Sequence, residues 1–140
     1  MGVISGGQVQ GPGRKLHQEM SFTEAAANVG AGAYTASVTI PGGAYVIDVI
    51  VHGTAIWDAA GAVTLKIGDA VDDDCYFTGV DMKATDLIAA EGLSLSGGTG
   101  LAGAKVGADI ANSQWNRRYI ATARVVTAKV TMAGASGSAG

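Results

Sequence analysis

Between residues 34 and 40 the chain alternates strictly. Tyr34, Ala36, Val38 and Ile40 fall on one side, and Thr35, Ser37 and Thr39 on the other. A period of two belongs to an extended chain with one buried face, because successive side chains of a strand point to opposite faces. The pattern returns at 63–67, with Val63, Leu65 and Ile67 inward and Thr64 and Lys66 outward. The long, β-branched run RYIATARVVTAKVTM at 118–132 predicts the last strong strand. The run AYVIDVIVHG at 44–53 is different. Tyr45, Ile47, Val49 and Val51 occupy one face, while Val46 and Ile50 share the other with Asp48 and His52. Apolar residues on both faces predict a strand that is central or covered on both sides. CYFTGV at 75–80 predicts a short aromatic strand, and a weaker apolar stretch follows around Leu87, Ile88, Leu93 and Leu95.

Turn residues separate these runs. Gly30–Gly32 and Pro41-Gly42-Gly43 are breakers of the kind that end strands. No segment sustains a 3.6-residue period. Short alternating strands with turn signals every ten or so residues predict an all-β protein, an antiparallel β-sandwich or jelly roll of about eight strands. Residues 20–29 (MSFTEAAANV) stay open: Ser21 and Glu24 have capping-box spacing, which favours a short helix, yet so brief a run fits a strand equally. Residues 1–19 are Gly-rich and polar and read as an extended N-terminal arm with little structure of its own. Residues 97–113 read as a Gly/Ala-rich loop. The expected organisation is an arm at 1–19, a β domain at 20–133 and a flexible Gly/Ser tail at 134–140.

Composition sharpens this picture. The 140 residues fit one domain. Hydrophobic residues make up 48%, enough for a core, but with 22 glycines and many alanines the core must use small side chains. Only 15% of residues are charged, against about a quarter in ordinary soluble domains. So sparse a charge complement suits a subunit that hides surface in an assembly. The net charge of −3 argues against general nucleic-acid binding, which needs a basic surface. The single Cys75 allows neither an internal disulfide nor a cysteine-based zinc site. No apolar run of about eighteen residues predicts a membrane span, and residues 1–20 lack the apolar segment of a signal peptide. These features lead us to expect synthesis in a cytoplasm.

The candidate chemistry centres on GDAVDDDCYFTGVD at 68–81, where five aspartates fall within fourteen residues. Calcium takes six to eight oxygen ligands, and Asp69, Asp72 and Asp74 are the candidates for holding it. The EF-hand order is absent, however, and consecutive Asp72, Asp73 and Asp74 cannot all face one point in an extended chain. A charged, solvated turn joining two strands is the simpler expectation. GTGLAG at 98–103 matches G-x-G-x-x-G, but residues 118–132 are strand-like and carry no acid, so the dinucleotide context is missing. His17 and His52 are the only histidines; His52 follows a strand beside Asp48, with no nucleophile elbow to complete a triad. Cys75, beside Tyr76 and Phe77, reads as a small core residue. QWNRRY at 114–119 joins Trp115, Arg117, Arg118 and Tyr119, residue types that anchor interfaces or, at a strand start, cap a core. No catalytic residue and no cofactor is expected.

The run YTASVTIPGGAYVIDVIVHGTAIWDAAGAVTLKIGDAVDDDCYFTGVDMKATDL resembles small virion structural proteins of tailed bacteriophages. The shared features are a strand ending in Pro-Gly-Gly-Ala, the VIDVIVH strand, the VTLKIGD strand, and an acidic turn before YFTGVD; the likeness spans about residues 20–132. It implies a non-enzymatic head decoration (cement) protein on the capsid exterior. Such a protein binds the major capsid protein and reinforces the shell after expansion, in a β-rich and often trimeric form. It also implies a further strand after the Gly/Ser segment, which the 140 residues do not include. Arg14 and Lys15 of the arm, with Trp115, Arg117 and Arg118, are then the expected capsid or subunit contacts. Two other readings compete: a head–tail connector, tail or fibre-anchoring subunit, and a carbohydrate-binding jelly roll in which Trp57, Trp115 and Tyr119 stack on sugar. No nucleic-acid or membrane partner is expected under the decoration reading.

Overall fold

The computed structural model describes residues 2–4, 16–24, 33–88, 93–94 and 118–134. Its strands are β1 (Gly2–Ile4), β2 (Glu19–Ser21), β3 (Ala33–Ile40), β4 (Ile50–Val51), β5 (Val63–Asp69), β6 (Phe77–Asp81), β7 (Leu93–Ser94) and β8 (Arg124–Met132). Among the described residues the helical content is one 3-10 turn, Thr85–Leu87. The protein is thus nearly all β, and every strand pairing among the described residues is antiparallel.

The main sheet has four strands in the order β3-β8-β5-β6. The strand latest in the chain is therefore central, pairing with β3 from Ala33↔Thr131 to Ile40↔Arg124 and with β5 from Val63↔Met132 to Asp69↔Val126. The period-two runs explain which face is buried. Tyr34 and Ala36 of β3, Val63, Leu65 and Ile67 of β5, and Val126, Ala128, Val130 and Met132 of β8 all point into the core. The opposite face carries Thr35, Ser37, Thr39, Thr64, Lys66, Thr127, Lys129 and Thr131, and the Ser37 and Thr127 hydroxyls lie 2.9 Å apart across the strands. The core is closed by Val51, Trp57, Ala59, Cys75, Tyr76, Met82, Leu87 and Leu93, which come from the connections and from the β4–β7 ribbon. Trp57 meets Tyr34 edge to face, ring centroids 5.3 Å apart at 80°, a favoured aromatic geometry.

Pro41–Ala44 turns the chain out of β3, with Ala44 N–H donating to the Pro41 carbonyl at 3.2 Å and Gly43 at φ +76°. A positive φ at the third position is what a type II turn demands, and glycine supplies it without steric cost. The Leu65↔Val80 and Ile67↔Phe77 pairs leave one extra residue on β6, a bulge at Thr78–Gly79.

Three sequence expectations change. The arm is not structureless throughout: β1 pairs with β2 through Gly2↔Ser21, Val3↔Met20 and Ile4↔Glu19, so its first residues fold back on its end. Gln18 Nε2 then ties this ribbon to the Thr39 carbonyl of β3 at 3.1 Å. Second, the open stretch 20–29 begins in strand, with Ser21 ending β2, and Glu24 is buried and accepts a bond from Asp58 N–H at 2.9 Å; residues 25–29 lie outside the described residues. Third, the run at 44–53 is not one long strand buried on both faces. Tyr45 forms a single bridge with Tyr119, the ladder lapses, and only Ile50–Val51 is regular strand. The Asp48 carboxylate accepts from Val49 N–H at 2.9 Å and so competes with strand pairing for that donor. The predicted loop 97–113 and the tail from 135 onward lie outside the described residues.

Candidate functional site

The acidic stretch joins β5 to β6. Asp69 continues the inward row of Val63, Leu65 and Ile67, and its residue is 4% exposed. Its Oδ1 accepts from Val71 N–H at 3.0 Å and Asp72 N–H at 3.2 Å, while its own N–H donates to the Asp72 carbonyl at 2.8 Å. This is an Asx-type turn in which a carboxylate substitutes for a missing strand partner. Gly68 is required beside it: a Cβ there would collide with the Asp72 carbonyl oxygen, the Asp73 carbonyl carbon and the Asp74 nitrogen. Asp73 leaves the cluster to pair with Lys66 of β5 at 3.0 Å. That bond raises the Lys66 pKa above its ordinary value, with Asp74 adding to the effect and partial burial opposing it. Of the three calcium candidates, Asp69 points inward to hold the turn, and Asp72 and Asp74 are half-buried. Among the described residues no group of three or more His, Cys, Asp or Glu is placed to hold a metal ion.

Under the same end of the core lies a polar cluster that joins Arg118 to two residues given no site role by the sequence, Tyr76 and Arg124. Arg124 opens β8 on its inward row, and its Nη2 donates to Tyr76 Oη at 3.1 Å and to the Arg118 carbonyl at 3.4 Å. Tyr76 is fully buried. Burial pushes its hydroxyl pKa upward, and the hydrogen bond and positive charge of Arg124 pull the other way. Arg118 is itself 6% exposed and donates from Nη1 to the Ile47 carbonyl at 3.3 Å. Arg118, expected as a contact residue, is thus inside the isolated chain, where it fastens 118–120 to the segment after the Pro41 turn. Strand phase was the available signal for the others: Arg124 and Asp69 are the polar ends of otherwise apolar inward rows.

The remaining candidates separate. Arg14, Lys15, Trp115 and Arg117 lie outside the described residues. His17 is exposed, 3.9 Å from Glu19, and His52 is exposed. Asp48 accepts from Ser94 Oγ at 2.7 Å and so links β4's approach to β7. Cys75 is buried, as a small core residue would be. Trp57, offered for sugar stacking, is 3% exposed and sealed in the core, so no face of its ring is open to a ligand. Lys83 is tied to the Ala59 carbonyl at 2.8 Å and the Gly61 carbonyl at 3.4 Å, holding the 53–62 loop.

Among the described residues several large apolar side chains are exposed. Tyr45, Ile47, Ile50 and Tyr119 are each more than half exposed. Tyr45 and Tyr119 are bridge partners and therefore emerge on the same face, while Ile47 lies two residues further along from Tyr45. No protein-family model, no curated protein and no solved structure matches the chain.

Proposed function

We propose that this protein is a virion structural protein, a decoration or cement module that binds the outside of the major capsid lattice of a tailed bacteriophage and stabilises the head. One observation supports it above the rest. Among the described residues, several side chains that could serve chemistry tie backbone segments together: Asp69 caps a turn, Glu24 holds Asp58, Lys83 holds two carbonyls, and Arg118 and Arg124 brace the core end. A chain that spends its polar groups on rigidity suits a mechanical role. Its low charge content and the exposed apolar side chains fit a subunit that gives up surface to neighbours.

In this reading the four-stranded sheet is one layer of a jelly-roll-like sandwich, and the module is a homo-oligomer, with a trimer favoured. Arg14 and Lys15 supply positive charge towards acidic lattice surface. Each contact is modest, and many copies acting together give the shell its added strength. The role requires neither catalysis nor a cofactor.

The test is to add the purified chain to expanded heads that lack it. Saturable binding and survival of the heads at a higher temperature are expected. Replacing Arg14 and Lys15 by Glu weakens binding, and the loss is larger at low salt, where charges are less screened. Heads that neither bind the chain nor gain heat resistance reject the decoration reading. Unchanged binding after deletion of residues 1–19 rejects the role given to the arm.

A further inference from the structure

We infer that the outer edge of β3 is where one copy of this chain binds a second, the two β3 strands pairing antiparallel across a two-fold axis at Ser37. The contact rests on the self-association in the reading above and gives it a surface and a register.

The phase of the sheet fixes which backbone groups are left over. Ala133 N–H donates to the Ala62 carbonyl at 2.8 Å, one residue beyond the Val63↔Met132 pair. Successive residues of an antiparallel strand bond to alternate neighbours. Odd-numbered residues of β8 therefore bond to β5 and even-numbered ones to β3, where their partners are Tyr34, Ala36, Val38 and Ile40. The N–H and C=O groups of Thr35, Ser37 and Thr39 point away from the sheet, and no other described strand pairs with β3. Among the described residues the one hydrogen bond to these groups comes from Gln18 Nε2, which reaches the Thr39 carbonyl at 3.1 Å and agrees with this phase. Gln18 Oε1 is buried without a hydrogen-bond partner. The side chain thus stands in for only half of a neighbouring peptide group.

The two edges of the main sheet are guarded differently. Sheets blunt an edge with charge, proline, a bulge or a short strand. β6 has the bulge at Thr78–Gly79 and ends on Asp81. β3 runs eight residues, AYTASVTI, in unbroken register with β8, and holds no charge, proline or glycine. An edge built this way is a template for another strand.

The sequence of β3 selects its own copy. With the axis at Ser37, each Ser37 N–H meets the Ser37 carbonyl of the other copy, and Thr35 exchanges both bonds with the Thr39 opposite. Gln18 yields the Thr39 carbonyl to that backbone donor. On the outward face Thr35 lies against Thr39; on the inward face Tyr34 lies against Ile40 and Ala36 against Val38. Threonine pairs and aromatic–β-branched pairs are favourable across strands. Burial matches in the same register. Tyr34 and Ala36 are 5% and 4% exposed, whereas Val38 and Ile40 are half-buried. The covered half of each inward row is laid beside the open half of the other.

The test uses the purified full chain with no shell present. Sedimentation equilibrium should show pairing that grows with concentration, into dimers, or into hexamers if the unit is a trimer. Ser37→Pro deletes an edge N–H and no bond to β8, and should raise the dissociation constant about tenfold or more; Ser37→Ala should leave it unchanged. Cysteines read the register. A hydrogen-bonded pair at the axis sets the two Ser37 Cα atoms about 5.5 Å apart, within disulfide reach. Ser37→Cys should therefore cross-link to its own copy under mild oxidation. Thr35→Cys and Thr39→Cys, each about 14 Å from its own copy, should not. Cys75 is buried and takes no part. If Ser37→Pro fails to fold, Thr35→Lys, which sets a charge on the edge, replaces it and should also weaken pairing. A wild type that stays monomeric at millimolar concentration, or stops at trimers, overturns the proposal. So do cross-links at Thr35 or Thr39 in place of Ser37, and pairing that ignores the edge variants. Single chains that use this edge on assembled heads also overturn it, by giving the edge to the lattice protein. Failure of the decoration reading is separate, since it appears as absence of binding to heads whatever the oligomeric state.

Discussion

Replacing Asp69 by alanine isolates what the acidic turn is for. The wild-type carboxylate accepts two backbone N–H bonds, from Val71 at 3.0 Å and Asp72 at 3.2 Å, from a site that is 4% exposed. Hydrogen bonds to a charged group contribute about 1.5–3 kcal/mol each. The full sum is not lost, because Val71 is 80% exposed and water can take over its N–H. Alanine should therefore cost about 1–3 kcal/mol, a figure that overlaps the upper range for losing a helix cap. For a chain of this length the melting temperature should fall by about 3–10 °C. Asparagine keeps an acceptor oxygen at the same place and should lose less than half as much. Thermal melts of the three proteins, each with and without millimolar calcium, provide the assay. The turn reading predicts the order wild type, Asp69→Asn, Asp69→Ala, with no calcium dependence. It is refuted if Asp69→Ala melts with the wild type. It is equally refuted if calcium raises the wild-type melt and Asp69→Asn abolishes that rise, which would make the carboxylate a ligand.

Other substitutions probe the rest of the frame. Trp57→Ala should cost about 3–5 kcal/mol in denaturant unfolding, the range for emptying a large aromatic site; an unchanged midpoint would place the ring outside the core. Gly68→Ala should destabilise by about 2 kcal/mol or more, because the new methyl must displace the backbone of residues 72–74. A soluble variant with wild-type stability would show that the turn relaxes freely. Tyr76→Phe should cost about 1–3 kcal/mol by removing the hydroxyl that accepts from buried Arg124. The Tyr76 pKa is raised in the folded chain, so the folded state keeps a proton that the unfolded state releases near the ordinary tyrosine value of about 10. The stability tied to that proton is intact below about pH 10 and is lost as pH rises from there through the elevated folded value. Denaturant midpoints measured from pH 8 to 11 should fall more steeply for the wild type than for Tyr76→Phe, and parallel curves would contradict the assignment.

Much of the framework was legible in the sequence because period two maps directly onto a half-buried sheet. The rows Tyr34–Ile40, Val63–Ile67 and Val126–Met132 point as the alternation requires. Strand order was not legible: alternation fixes which face a residue takes but not which strand lies beside it, so the central place of β8 came only from the structure. The run 44–53 misled for a physical reason. Its pattern describes burial after every face is covered, whereas Tyr45, Ile47 and Ile50 face outward in the single chain. Asp69 and Arg124 are visible in principle, since each falls in the inward phase of its strand, but a charge within a strand pattern ordinarily marks the solvent side. Arg118 lies in the run 118–132 yet ahead of the regular strand, and its burial follows from a backbone carbonyl of a distant segment that no local pattern reveals. The β1–β2 ribbon was hidden by glycine-rich composition, which says little about pairing partners.

The central claim is that this is a shell module, and its place and copy number in the particle test that most directly. A cryo-electron microscopy map of virions carrying this chain, combined with quantitative mass spectrometry against the major capsid protein, should find hundreds of copies on the outer surface of the head. Six or twelve copies at the neck or tail, or none in the particle, would contradict the account.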